Sequence, residues 1–329
     1  MTEKTAMPEI TVCLRQAHHL HSLSRTLRDL RPILDLQEAT QVTLDLTELT
    51  FIGPACLAFL VAVVRNGRES GMMADGSMIV WPASVPARTY LHRMDAIRVL
   101  FEHEANDPPD PVVRHEASGL KECEHFSSEK GGRRVAAALS KAIQDEVDTD
   151  RATEAALDVC LTELAENVYF HAEAEAGGFA AAQRFKNTQE IEIAIVDLGR
   201  GIAASLAGNP EYAQEAKDDI SAIKAAIRPL VTSTPERNSG YGLALTRFLL
   251  EMNDGRLIVW SGKGKVQFGE KHAEKRVDEM PGTVVALRLH TDRPFDISTA
   301  YRRLNEAIEE IEGAFDHDDV RPLRGNETS

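Results

Sequence analysis

The stretch LTELAENVYFHA, residues 161–172, decides how the chain is read. Glu163, Asn167 and His171 recur at steps of four, so they share one face of a helix. Leu157, Leu161, Leu164 and Val168 form an adjoining apolar row, which predicts a core-facing stripe. A polar row at the edge of a core needs partners, because buried polar groups without them are costly. Those partners are either neighbouring backbone or a ligand, and the rest of the chain has to choose between them.

Outward from this helix, predicted over 151–172, strands and helices alternate in both directions. Downstream, the patterning predicts a strand at 190–196, a helical region over 210–228, a helix at Gly242–Met252, and strands at 256–260 and 283–289. Upstream lies a helix over 131–146. Further towards the N-terminus come strands at 9–14, 41–46, 77–81 and 97–102, with helices over 21–34, after Pro54, and in VPARTYLHRM. Pro54 suits the first turn of a helix, and Gly67 and Gly71 mark that helix's end. The fold class is α/β throughout. The chain of 329 residues divides into a domain at 1–103, a Pro-rich acidic linker at 104–119 containing EANDPPDPVV, and a second domain at 120–293. An amphipathic helix at 294–315 follows, with Ile297, Tyr301, Leu304, Ile308, Ile311 and Phe315 along a narrow seam. That seam either packs back on the domain or forms a contact with a second copy. A loose charged tail occupies 316–329.

The bulk composition sets limits. Hydrophobic residues at 43% are enough for real cores, and a net charge of −15 argues against nucleic acid or an anionic membrane as the main partner. Cys13, Cys56, Cys123 and Cys160 stand apart without a CxxC pair, so neither a disulfide framework nor a zinc site is expected. The N-terminus lacks an apolar signal core, and the longest apolar run, 57–64, is too short to span a bilayer. A soluble cytoplasmic protein is the expectation.

Three further motifs bear on the opening choice. In EIAIVDLGRGI, 192–202, Asp197 ends a strand and Gly199 and Gly201 follow. A carboxylate there can accept a hydrogen bond from a flat amino-heterocycle lying against the glycines, although Asp-x-Gly-x-Gly also occurs in ordinary turns. In RNSGYGLALTRFLLE, 237–251, Gly240 and Gly242 precede a helix whose first N–H groups attract phosphate. No Gly-Lys-Ser/Thr follows, so this is not a Walker loop. In MPGTVVALRL, 280–289, Gly282 and Thr283 open a strand, and the Thr283 hydroxyl can share a base nitrogen or a water with Asp197.

The succession Glu-x₃-Asn-x₃-His-Ala, Asp-x-Gly-x-Gly, Gly-x-Gly-Leu, Gly-Thr over about 125–290 resembles the N box, G1 box, G2 box and closing Gly-Thr of the GHKL ATPase superfamily. That resemblance implies a Bergerat-type ATP-binding α/β sandwich with ATP and Mg²⁺ as cofactors. It implies that Asn167 is the Mg²⁺ ligand, that Glu163 polarises the attacking water or hydroxyl, and that Asp197 binds the adenine amino group over Gly199 and Gly201. It implies that Ser239, Gly240, Gly242 and Leu243 gather the phosphates beneath a lid at 203–239, with Thr283 at the base. His171 is expected to close the helix against that lid, and Arg237 to add charge there.

His115 and His125 do not sit in a paired dimerisation helix, so a histidine-kinase phosphoacceptor module is not found. ALDVCLTELAENVYFHA reads more like the anti-sigma serine kinases. VTLDLTELTFIGPACLAFLVAVV, 42–64, resembles the central strand and helix of a STAS domain through Asp45, Leu46, Leu49, Phe51, Ile52 and Leu57. The acidic-serine pair that receives phosphate in that family is replaced by Gly53 and Pro54, so the usual phospho-switch cannot run there. The expected function is an anti-sigma-type serine/threonine kinase or slow ATPase controlled by its fused STAS-like domain. Its regulatory partner would be a sigma factor or an antagonist. The alternatives are an ATP-gated protein-binding switch and an orphan histidine-kinase-like output domain.

Overall fold

The computed structural model describes residues 7–15, 17, 22–96, 120–232, 240–269 and 271–318. The strand expected at 97–102, the linker at 104–119, Ser239, Arg237 and the tail beyond 318 lie outside these residues.

The N-terminal part is a parallel layer. Strands β1 (Glu9–Cys13), β2 (Gln41–Asp45) and β3 (Met78–Val80) stand in the order β1-β2-β3, joined through helices α1 (Leu23–Leu34) and α2 (Pro54–Glu69). Helix α3 (Val85–Arg93) follows, its first turn capped by Ser84, whose hydroxyl accepts from the Ala87 N–H at 3.4 Å. Val42 and Leu44 alternate inward along β2, the two-residue period of a strand buried on one side.

The C-terminal part is an antiparallel sheet of β4 (Leu120–Phe126), β5 (Gly178–Phe185), β6 (Glu190–Asp197), β7 (Arg256–Gly269) and β8 (Ala273–His290), in the order β4-β5-β6-β8-β7. Helices α4 (Glu129–Gln144), α5 (Arg151–Asn167), α6 (Gly201–Leu206), α7 (Asp219–Ala226), α8 (Gly242–Met252) and α9 (Ile297–Asp318) complete it. The described residues therefore form a mixed α/β protein with one parallel and one antiparallel sheet. Among the described residues no helix is long and apolar enough to cross a membrane.

The antiparallel sheet is a wall between two cores. Ile191, Ile193 and Ile195 of β6, Leu257 and Val259 of β7, and Leu287 and Leu289 of β8 join a core with α4 and α5. Their alternates, Ala194, Val196, Ile258, Trp260, Val284 and Ala286, join a second core with the N-terminal layer. Every residue of β6 is buried, as a central strand covered on both faces requires. Helix α2 makes the second contact. Residues Pro54 to Val64 are all buried, and the helix lies against β5, β6 and β8 as well as α1. An all-round apolar helix must be buried all round, and the two parts of the chain thus share one continuous core.

Two local outcomes differ from the sequence reading, and a third matches one of the two alternatives it left open. The helix expected over 151–172 ends as α5 at Asn167, and its last turn widens to an i→i+5 turn over Val168–Ala172, a form frequent at functional sites. Strands β7 and β8 run well past the expected 256–260 and 283–289, forming a ribbon that bends at Gly262 and Gly264. Its return places Val266 and Phe268 in the helix-side core. The seam of the last helix packs inward: Ala300 and Leu304 are buried against Ala244, Leu245 and Phe248 of α8, leaving Tyr301 exposed. That helix also continues to Asp318, three residues into the stretch expected to be loose.

Candidate functional site

Helix α5 answers the opening question by its orientation. Leu157, Leu161, Leu164 and Val168 enter the core beside the sheet. Glu163, Asn167 and His171 instead face a cleft that opens to solvent. Of the residues predicted from sequence, Glu163, Asn167, Asp197, Gly201, Gly240, Gly242, Leu243 and Thr283 all line this cleft. They come from four separate segments, brought together by α5, the end of β6, the start of α8 and β8. Gly199 stands just behind the lining, and His171 is part of it.

At one end the cleft is an acceptor floor. Asp197 is buried, and its Oδ1 accepts from the Gly199 N–H at 2.8 Å. Burial pushes its carboxyl up to about 7, against the opposing pull of the backbone N–H groups of Gly199 and Thr283. Gly199 has no alternative here: a Cβ would collide with the Ala172 carbonyl at the end of the widened turn. The turn and the loop therefore close on each other only through a glycine.

At the other end lies the start of α8. Tyr241 precedes it without a side-chain cap, so the first-turn N–H groups of an eleven-residue helix border the cleft at Gly242 and Leu243. Gly242 has a second reason to be glycine, because a Cβ would run into the Glu163 side chain. The carboxylate of Glu163 is thereby held against the helix start. Burial first, and then the neighbouring Glu166 carboxylate, raise its pKa. His171 is shifted the other way, by burial and by the Arg200 guanidinium, which favours its neutral form.

Among the described residues the lining contains two carboxylates and no lysine or arginine. A polyanion held against these residues would meet both carboxylates, a repulsion that a cation bound with it would offset. No group of three or more His, Cys, Asp or Glu residues stands ready to hold a metal among the described residues. The amide oxygen of Asn167 fits the sparse protein coordination that Mg²⁺ takes when phosphates and water supply its other ligands.

The segment expected as a polar lid is more built than its composition suggests. Over 201–232 it folds into α6, two short 3₁₀ turns and α7, with its own apolar cluster of Leu206, Tyr212, Ala222, Ala225 and Val231. Ser205, Leu206, Ala226, Val231 and Thr232 all line the cleft, residues that their sequence did not single out. The ribbon fixes α7 from outside. Asp219 accepts from the Lys263 N–H at 2.9 Å, Lys224 pairs with Glu274 at 2.8 Å, and Arg276 pairs with Asp218.

No protein-family model matches the chain, and a comparison with curated proteins returns no match.

Proposed function

We propose that this chain is an ATP-binding regulatory protein of GHKL type, acting as an anti-sigma-type serine/threonine kinase or slow ATPase under the control of its STAS-like N-terminal layer. The observation that carries the proposal is the convergence of four motif segments, distant in sequence, on one cleft. The resemblance to a Bergerat-type sandwich is supported by α4 and α5 lying on one face of an antiparallel sheet and by a cleft between α5 and the loop after β6.

In this reading Asp197 accepts a hydrogen bond from the exocyclic amine of adenine, and the glycine loop admits the flat ring. The N–H groups at the start of α8 receive phosphate oxygens. Asn167 would hold Mg²⁺, which supplies the charge balance that the lining lacks. Glu163 is the general base. The attacking hydroxyl or water forms a bond to the γ-phosphorus, the β–γ bridging P–O bond breaks towards ADP, and the proton passes to the Glu163 carboxylate. A raised carboxyl pKa improves that role at neutral pH.

The STAS-like reading is supported by the parallel β-α-β-α-β layer and by Pro54 at the first turn of α2. Gly53, Pro54 and Ala55 are buried under the antiparallel sheet, where the Glu192 carboxylate lies 3.5 Å from the Ala55 N–H. The layer therefore offers no acceptor hydroxyl at this place, and the acceptor would be on a separate protein, a sigma-factor antagonist in the anti-sigma reading. Control by the layer is supported by the ribbon. Within six residues of β8, Glu274 and Arg276 meet α7, while Asp278 pairs with Arg28 of α1 at 3.6 Å and the Glu279 carbonyl accepts from Arg31.

The test is calorimetry with Mg²⁺-ATP on the full chain, followed by incubation with γ-labelled ATP and candidate partner proteins. Label on a partner establishes a kinase, and free phosphate establishes an ATPase. Bound nucleotide alone establishes the second reading, an ATP-gated binding switch, which the buried Pro54 favours. Absence of binding removes all three.

A further inference from the structure

Ser261 belongs to none of the motifs and does not line the cleft, yet its hydroxyl joins two of the segments that do. It is buried at 2% exposure in β7. Its Oγ accepts from the Ile202 N–H at 2.9 Å and donates to the Gly282 carbonyl at 2.9 Å, and it lies 3.4 Å from the Thr283 hydroxyl. The strand register places Ser261 opposite Thr283 and Thr283 opposite Asp197, so the three side chains form one row across β7, β8 and β6. Residues directly opposite in a sheet point to the same face, and here that face carries the cleft.

A serine hydroxyl has one proton and two lone pairs. With the proton directed to the Gly282 carbonyl, the contact with Thr283 leaves Thr283 as the donor. The lone pairs of the Thr283 oxygen then face the cleft beside the Asp197 carboxylate. With Asp197 ionised, above about pH 7, the base end presents acceptors only, which suits a 6-amino purine and disfavours a 6-oxo purine.

We propose that Ser261 is a positioning residue that sets the base selectivity of the cleft, acting through Ile202, Gly282 and the proton of Thr283. The proposal rests on the nucleotide reading given above. Removing the hydroxyl orphans the Ile202 N–H and frees the Thr283 proton to point into the cleft. A 6-oxo group could then be accepted.

The experiment compares ATP and ITP binding to the full chain, wild type and Ser261→Ala, by calorimetry with Mg²⁺. The expected result is a loss of ATP affinity of about tenfold with a smaller loss for ITP, so that the ATP:ITP ratio narrows. Equal losses for both nucleotides would mean a purely structural role and overturn the proposal, as would unchanged affinities. Thr283→Val supplies the second arm. In that background Ser261→Ala should no longer change the ratio, and a ratio that still narrows overturns the proton-routing argument. Amide exchange of Ile202 in the nucleotide-free protein gives an independent readout: Ser261→Ala should speed it at least tenfold, and no change would overturn the clamp itself. A wild-type chain that binds neither nucleotide overturns the underlying reading, a result distinct from bound nucleotide with an unaltered ratio.

Discussion

Asp197 carries the largest electrostatic cost in the cleft, and two outcomes follow from it. Its carboxyl titrates near 7 in the folded protein against 3.8 as the ordinary value. Between those values the native state keeps a proton that the unfolded chain has lost, so its contribution to stability is full below pH 3.8 and gone above about 7. A difference of that size is worth on the order of 4 kcal/mol. Asp197→Asn should therefore raise the melting temperature of the ligand-free protein at pH 8 and change it little near pH 4, while reducing nucleotide affinity at least 100-fold. Thermal melts across pH and calorimetry check the two halves separately. An amino donor binding to the ionised carboxylate also predicts that wild-type affinity rises with pH up to about 7 and that binding releases protons, seen as a buffer-dependent heat. For Glu163, Glu163→Gln should lower turnover at least 100-fold and leave the ATP dissociation constant within threefold, read by phosphate release and calorimetry. The motif residues that line the cleft were legible in the sequence because helical and turn spacings are local, whereas Ser205, Leu206, Ala226, Val231 and Thr232 carry no such spacing. Ser261 was not legible either, since its importance comes from cross-strand register, which no spacing along the chain announces.

Among the elements, α2 and the ribbon were read least completely. The apolar run 57–64 announced a buried helix, but not that a second sheet covers it. Glu192 helps to explain why. EIEIAIVD reads as a strand with one polar face, yet Glu192 is fully buried and paired with Arg288 at 2.7 Å on the α2 side. The ion pair with Arg288 makes the burial of that carboxylate tolerable, and nothing in the strand's own pattern shows that Arg288 will stand beside it. Phe59→Ala in α2 should cost about 3–5 kcal/mol, as truncation of a fully buried aromatic does, and would be measured by denaturant unfolding. The ribbon was missed because 262–281 is rich in charge and its alternation, Lys265 to Phe268, spans only four residues. Its grip on α7 depends on Asp219, so Asp219→Ala should increase amide exchange across 219–226 without altering exchange in α5. The mostly exposed ion pairs around that contact should matter less, at about 0–1 kcal/mol each.

At the scale of the molecule, the sequence suggested two bodies joined by a linker, and the structure joins them through a common wall. The reason is again physical. Periodicity reports that a face is apolar, not which distant surface will cover it. A chain cut to 120–329 would expose Phe179, Ala181, Val196, Ile258, Trp260 and Val284 as one apolar face, the kind of surface that drives association. We expect that fragment to self-associate or precipitate on its own, and to become monodisperse when residues 1–105 are co-expressed as a separate chain. Light scattering after size exclusion reads the outcome. A monodisperse, nucleotide-binding 120–329 fragment would refute the shared core.

The wall also restricts how such a molecule can be switched. Inhibitory segments in many proteins are disposable, and a protease frees the active half by clipping them away. Here the N-terminal layer is half of the foundation, and excising it would leave the cleft's own floor without support. If the proposed regulation holds, its signal would arrive with both halves in place, as a small slide or tilt transmitted across a sheet that neither side can abandon.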